Sequence, residues 1–92
     1  MKLTTEQIDQ HLATLANGWK LNGHGHLYKE FTFDNFLDPL AFANKVAPIA
    51  EEMQHHPDLT ISWGKFSVEI WTHDQNGITE KDFKLANQIE AI

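Results

Sequence analysis

The sequence predicts an α+β fold in which helices pack on one face of a four-stranded antiparallel sheet. Two pairs of short segments alternate apolar and polar residues, and a turn signal joins the members of each pair, which is typical of β-hairpins. Three other segments place apolar residues at helical spacing. The resulting order is α-β-β-α-β-β-α, and hairpins separated by helices favour an antiparallel sheet.

The first helix begins at a capping box formed by Thr4 and Gln7, and Gly18 is a natural stop beyond it. Its apolar positions recur at helical spacing: Ile8, Leu12 and Leu15. The first hairpin turns at Asn22-Gly23. Trp19 and Leu21 alternate with polar residues before this turn, and the apolar residues after it share one parity: Leu27, Phe31 and Phe33. This pattern predicts a hairpin with one buried face.

The second helix runs from Phe36 to Met53 and is so broadly apolar that we expect it to be the central element of the core. One stripe contains Phe36, Leu40, Ala43, Ala47 and Ala50, and the next contains Phe42, Val46, Ile49 and Met53. Pro39 suits a first turn, whereas Pro48 predicts a bend in the helix. Pro57 ends the helix and favours an extended backbone at His56.

The second hairpin turns at Gly64-Lys65. Alternation predicts that the inward side chains of its two strands are Leu59, Ile61, Trp63, Phe66, Val68 and Ile70. The same alternation places Glu69, Trp71 and His73 on the opposite face of the fourth strand. Asn76-Gly77 breaks this strand, and the run from Thr79 to Asp82 opens a last helix with inner positions Phe83, Ala86 and Ile89.

The composition excludes several classes of function. The 92 residues predict one domain, residues 1–92, small enough that we expect a homodimer or homotetramer. A net charge of −6 with only seven Lys and Arg residues argues against binding nucleic acid. The absence of cysteine removes disulfides and thiol nucleophiles and fits the cytoplasm. We expect no signal peptide and no membrane span, because no segment approaches the roughly 20 apolar residues that a span needs.

Three histidines, His55, His56 and His73, are the residues that indicate chemistry. Histidine both gains and loses a proton near neutrality, because its unperturbed pKa is about 6.5. We therefore expect these side chains to meet around one cavity and to perform acid–base catalysis on a small molecule. Glu51 precedes His55 by one helical turn, at a spacing that lets a carboxylate orient an imidazole. Trp71 shares the face of His73, where a large apolar side chain either forms a wall of the site or covers a subunit interface.

Each of these residues also has a simpler interpretation. His55 suits the C-terminal end of a helix, His56 suits a solvated loop, and Asp82 suits a capping box with Thr79. A zinc site made of histidines alone is chemically feasible, but the helical spacings typical of such sites are absent, so we expect no metal.

Taken together, the spacing of these residues resembles the signature of the pterin-4a-carbinolamine dehydratases. The pattern consists of Glu51, His55-His56-Pro57, Trp63, Thr72-His73, Gly77-Ile78-Thr79 and Asp82, and the resemblance covers essentially the whole chain. It implies the compact α+β fold of that family and the removal of water from 4a-hydroxytetrahydrobiopterin, which gives quinonoid dihydropterin. This reaction recycles the tetrahydrobiopterin of aromatic amino-acid hydroxylases and uses no metal or bound cofactor.

The resemblance implies that His55, His56 and His73 are catalytic and that Glu51 and Asp82 line or support the site. Under this hypothesis His56 accepts the proton of the ring nitrogen, and either His55 or His73 protonates the leaving group. Asp58-Leu59 and Lys81 depart from the Glu-Trp pair and the arginine of animal members, so the periphery of the site is expected to differ. Two alternatives remain open: a non-catalytic dimerisation or coactivator module, and a dehydratase-like enzyme acting on another cyclic substrate.

Overall fold

The computed structural model describes residues 1–92 and confirms the predicted fold class and element order. The elements are α1 (Thr5–Thr14), β1 (Lys20–Leu21), β2 (Leu27–Thr32), α2 (Leu37–Met53), β3 (Asp58–Ser62), β4 (Lys65–Ile70), a short 3₁₀ helix (His73–Gln75) and α3 (Glu80–Glu90). The strands form one antiparallel sheet in the order β1-β2-β4-β3. None of the helices combines the length and the apolar character needed to cross a bilayer.

The capping box predicted for α1 is present. The Thr4 N–H donates to Gln7 Oε1 at 2.9 Å, and the Gln7 N–H donates to Thr4 Oγ1 at 3.2 Å. The helix ends at Thr14, well before the predicted stop at Gly18, which adopts a positive φ of 101° in the connection to β1.

The core lies between the helices and the inner face of the sheet. Alternation along β2 and β4 buries Leu27, Phe66, Val68 and Ile70 completely, as predicted. α3 contributes Phe83, Leu85, Ala86 and Ile89 to the same core.

The prediction for α2 is wrong along one side of the helix. The buried stripe consists of Pro39, Ala43, Val46 and Ala50, and the flank formed by Phe42, Ile49 and Met53 packs beside it. On the other flank Phe36 is 50% exposed and Leu40 is 39% exposed, and Ala47 is exposed as well. Because a helix contacts the sheet along one face only, a second apolar stripe is left without a partner within the chain. α2 continues through Pro48, and the bend at this residue stays a prediction.

Trp63 is also placed differently from the prediction. β3 ends at Ser62, so the hairpin turn is Trp63-Gly64 rather than Gly64-Lys65, and Gly64 adopts the positive φ of 74°. The alternation of a strand does not extend into a turn, and Trp63 is 71% exposed instead of buried.

Candidate functional site

The end of α2 separates the two adjacent histidines. Gln54 adopts a left-handed conformation with φ 52°, and the N–H of His55 returns to the carbonyl of Ala50 at 3.1 Å. This reversal closes the helix with a pattern that usually requires glycine. As a result, His55 is only 8% exposed, whereas the side chain of His56 is 57% exposed.

His55 is held by a buried carboxylate. Its Nε2 lies 2.5 Å from Oδ1 of Asp82, which is completely buried at the start of α3. The other carboxylate oxygen accepts hydrogen bonds from Thr72 Oγ1 at 2.9 Å and from the Thr79 N–H at 2.7 Å. The hydroxyl of Thr72 and the N–H of Thr79 both donate to this carboxylate, which favours its ionised form, and an ionised carboxylate can only accept. The proton of the bond to Asp82 therefore resides on His55 Nε2, and His55 Nδ1 is the nitrogen left for other partners.

His56 is held by a different carboxylate. Its Nε2 lies 2.8 Å from Oε1 of Glu51, and both side chains are largely exposed. The spacing predicted that Glu51 orients His55, and this is wrong, because the left-handed residue Gln54 turns His55 towards Asp82 and brings His56 to Glu51. The same bonding pattern leaves Nδ1 of His56 free.

His73 is held by stacking. It begins the 3₁₀ helix rather than lying at the end of a strand, on a loop closed by Thr72 and Gly77, whose backbones pair. Its imidazole is parallel to the indole of Trp71, with 4.4 Å between ring centroids and 14° between planes. Trp71 lies one residue beyond β4 and carries a second imidazole, that of His26, at 4.0 Å and 5°.

A cleft of about 270 Å³ joins the three histidines. It is lined by Gln54, His55, His56, Thr72, His73, Asp74 and Lys81. The other residues singled out in the sequence lie behind this lining: Asp82 bonds to His55, Glu51 to His56, and Trp71 stacks on His73. The lining is polar, and it offers imidazole nitrogens, a hydroxyl, a carboxylate and an ammonium group to a ligand.

A second cavity of about 290 Å³ adjoins the cleft and shares Thr72, Asp74 and Lys81 with it. No set of three His, Asp or Glu side chains in the protein is arranged to hold a metal ion.

Several residues of the site carried no signal strong enough for prediction. His26 is part of no pattern in the sequence that indicates a function, yet continuing the pairing of Leu27 with Ile70 by one step places it opposite Trp71. Glu69 lies on the same face as Trp71, and its carboxylate is 2.5 Å from Nδ1 of His26. The register of β2 against β4 is the information that identifies both residues, and it became available only with the structure.

Comparison with known proteins supplies an independent finding. Residues 1–92 match the family described as pterin 4 alpha carbinolamine dehydratase. A protein of Rickettsia canadensis, described as a candidate pterin-4-alpha-carbinolamine dehydratase, is 56% identical over 89 residues, which cover 97% of this chain and 82% of the relative. A protein of Sulfolobus acidocaldarius with the same description is 41% identical over 92 residues, which cover 100% of this chain and 99% of the relative.

Two solved structures share the fold. The crystal structure of a transcriptional coactivator/pterin dehydratase from Brucella melitensis superimposes with a TM-score of 0.90 at 30% identity and covers 99% of this chain and 97% of the other. A pterin dehydratase-like protein identified as a RuBisCO assembly factor in the alpha-carboxysome superimposes with a TM-score of 0.67 at 21% identity. The match covers 82% of this chain and 88% of the other, and at this identity it supports a shared fold only.

Proposed function

The chain belongs to the pterin-4-alpha-carbinolamine dehydratase family, and we propose that it is a hydro-lyase that removes water from 4a-hydroxytetrahydrobiopterin. The product is quinonoid dihydropterin. The observation that carries this proposal is the cleft in which His55, His56 and His73 lie together, each held by a different neighbour. Its volume of about 270 Å³ is close to the lower end of the range of small-molecule pockets, about 300–1,000 Å³.

The reaction needs one proton donor and one proton acceptor. The bond between C4a and the hydroxyl oxygen breaks, and the oxygen takes a proton to leave as water. The ring nitrogen next to C4a loses its proton, and the electron pair of that N–H bond forms the new double bond. One proton is taken up and one is released, so no oxidant, reductant or metal enters the balance.

The contacts of the histidines support specific roles. Because the bond to Glu51 occupies Nε2 of His56, its free Nδ1 accepts the proton of the ring nitrogen. The donor to the leaving oxygen is His55 or His73. His55 donates from Nδ1 in its imidazolium form while the Asp82 carboxylate balances the charge, and His73 has both nitrogens free of protein side chains. A positioned acid or base contributes typically 10²–10⁴-fold to the rate.

Stopped-flow spectroscopy of the decay of the 4a-hydroxy adduct tests the proposal. We expect wild-type protein to accelerate the decay, and we expect His56→Ala and the variant of the acid, either His55→Ala or His73→Ala, to lower kcat by about 10²-fold or more. His24→Ala is the matched control, because this exposed histidine lies outside the cleft. Wild-type rates in all three cleft variants would refute the acid–base assignment.

The pH profile separates the acid from the base. An essential base must be deprotonated, so it causes the activity to fall at low pH, and an essential acid causes the fall at high pH. We expect His56→Ala to lose the low-pH limb. The variant of the true acid, His55→Ala or His73→Ala, loses the high-pH limb, and the other variant keeps it.

We also propose the wider setting that the family suggests. The protein recycles tetrahydrobiopterin for an aromatic amino-acid hydroxylase in the cytoplasm, and a coupled assay with such a hydroxylase tests this link. Exposed apolar side chains at the start of α2 support a homodimer or homotetramer: Phe36 is 50% exposed, Leu37 72% and Leu40 39%. Sedimentation equilibrium measures the mass directly, and a monomer at all concentrations would refute the association.

A further inference from the structure

His73 is held differently from the other two histidines of the cleft. A carboxylate occupies one ring nitrogen of His55 and one of His56, whereas no side chain of the protein hydrogen-bonds the imidazole of His73. Its ring is oriented by the parallel indole of Trp71 instead. Stacking uses the face of the imidazole and leaves both nitrogens at its edge available to a ligand.

The stack continues beyond Trp71. His26 lies parallel to the same indole at 4.0 Å, and His73 lies at 4.4 Å. Two imidazoles this close to one indole would collide if they shared a face, so they lie on opposite faces with the indole between them. The rings of His26, Trp71 and His73 therefore form one column, which we name the ring column.

The far end of the ring column is anchored. Nδ1 of His26 lies 2.5 Å from Oε2 of Glu69, and both side chains are more than three-quarters buried, with 19% and 23% exposed. The side-chain amide of Asn22 and then the ring of His26 lower the pKa of the Glu69 carboxyl below its ordinary value. Asn22 Oδ1 also accepts the backbone N–H groups of His24 at 2.9 Å and His26 at 3.1 Å, which fixes the loop that carries His26.

We propose that His26 and Glu69 are positioning residues that act through Trp71 to hold the ring of His73 in the cleft. This inference rests on the proposed dehydratase function for its effect on the rate, but the ordering of His73 is a physical property that exists whether or not the protein catalyses that reaction. His26 lies in the loop before β2, Glu69 lies in β4, and Trp71 and His73 follow β4. The ring column therefore connects the hairpin loop at Asn22–His26 with the cleft.

Kinetics of the pure protein give the first test. An aromatic contact of this kind corresponds to about a tenfold effect at most, so we expect Trp71→Ser to lower kcat about 10-fold with KM within about twofold. Trp71→Phe keeps a flat ring and should retain the rate within about threefold. His26→Ala should lower kcat about 3- to 10-fold, and His26→Phe, which restores a ring but not the bond to Glu69, should recover part of the loss.

A double variant shows whether Trp71 acts through His73. In a His73→Ala background, Trp71→Ser has no ring left to position, so the double variant should be no slower than His73→Ala alone. A further 10-fold loss in the double variant would overturn the proposal, because Trp71 would then act on the substrate or on another residue.

NMR spectroscopy gives a test that does not depend on activity. The ring current of the indole should shift the Cε1–H resonance of His73 upfield in the wild type, and the resonance should move back in Trp71→Ser and, in part, in His26→Ala. His11→Ala is the matched control and should leave it in place, because this imidazole stacks on Phe83 and not on a member of the ring column. An unshifted His73 resonance in the wild type, or one insensitive to His26→Ala, would overturn the proposal. Inactivity of a wild type that shows the shift would instead refute only the dehydratase function.

Discussion

Replacement of Asp82 by asparagine is the sharpest test of the buried network. The carboxylate accepts three hydrogen bonds, from His55 Nε2 at 2.5 Å, Thr72 Oγ1 at 2.9 Å and the Thr79 N–H at 2.7 Å. An amide has one oxygen, which faces Thr72 and Thr79, because the opposite orientation would point an NH₂ group at two buried donors. The NH₂ group then faces His55, whose Nε2 must become an acceptor, so that its proton moves to Nδ1.

Asp82→Asn should lower stability only modestly and kcat by a large factor, so the two effects can be told apart. All partners of the substituted side chain keep a hydrogen bond, but charge-assisted bonds become neutral ones, and the first turn of α3 loses a negative charge. We expect the free energy of unfolding to fall by about 1–3 kcal/mol, which a domain stable by about 5–15 kcal/mol tolerates. Without the carboxylate, the imidazolium form of His55 would oppose its Nε2–H to the amide NH₂ group, so the acid role proposed for His55 would be lost and kcat should fall by about 10²–10⁴-fold.

Three measurements on Asp82→Asn check this reasoning. Stopped-flow decay of the 4a-hydroxy adduct measures kcat, urea denaturation measures stability, and ¹⁵N NMR of the imidazole nitrogens identifies the tautomer of His55. Glu80→Gln is the matched control, because it removes a charge from the same turn of α3 and Glu80 is exposed, without a contact to His55. A variant in which the tautomer switches while kcat stays at the wild-type value would refute a role for His55 Nδ1, and an unchanged tautomer would refute the hydrogen-bond argument.

The remaining predictions concern stability and are checked by urea denaturation. Gln54→Gly should raise the free energy of unfolding by about 0.5–1 kcal/mol, because glycine adopts the φ of 52° without strain; a loss would contradict this. The pKa of Glu69 is lower in the folded protein, so its contribution is present above its ordinary pKa of 4.5 and is lost as the pH falls through the folded pKa. Glu69→Gln should therefore cost about 0.5–1 kcal/mol at pH 7, and the difference from the wild type should shrink below pH 4.5; a constant difference would argue against the charge. Phe66→Ala should cost about 3–5 kcal/mol, since Phe66 is completely buried, whereas Trp63→Ser should change stability by less than about 0.5 kcal/mol, since Trp63 is 71% exposed. Equal costs at these two positions would refute the placement of the hairpin turn.

Periodicity predicted the parts of the fold that depend on one face of one element. The inner positions of α3, Phe83, Ala86 and Ile89, are buried as predicted, because an amphipathic helix has only one face to bury. The same reasoning failed for Phe36, because α2 has more apolar surface than the sheet covers. The sequence of α2 alone does not indicate how much of the helix surface the sheet will bury. The prediction for Trp63 was wrong because alternation identifies a strand well but locates its end poorly. When the turn begins one residue earlier, Trp63 leaves the strand and no longer faces the core.

The sequence indicated which residues form the candidate site, but it did not indicate which carboxylate bonds to which histidine. His55, His56 and His73 lie in one cleft, but nothing in their spacing indicates that Asp82 holds the first and Glu51 the second. The pairing of His55 with Asp82 and of His56 with Glu51 depends on the left-handed conformation of Gln54, whose φ is 52° although it is not glycine. The stacking of His26 on Trp71 likewise depends on the register between two strands that are far apart in the chain.

Asp82 shows why a structural and a functional interpretation of one residue need not compete. Oδ2 accepts the Thr79 N–H at the start of α3, as a capping box requires, while Oδ1 holds the ring of His55. The helix start fixes the carboxylate at no further cost in side-chain freedom, and the buried hydroxyl of Thr72 donates a second hydrogen bond to Oδ2. In a chain of 92 residues few side chains are available to support a site. Asp82 serves two purposes, because it caps α3 and also orients one of the three imidazoles of the cleft. The same economy makes the site sensitive to folding, because any change that frays the first turn of α3 also releases His55.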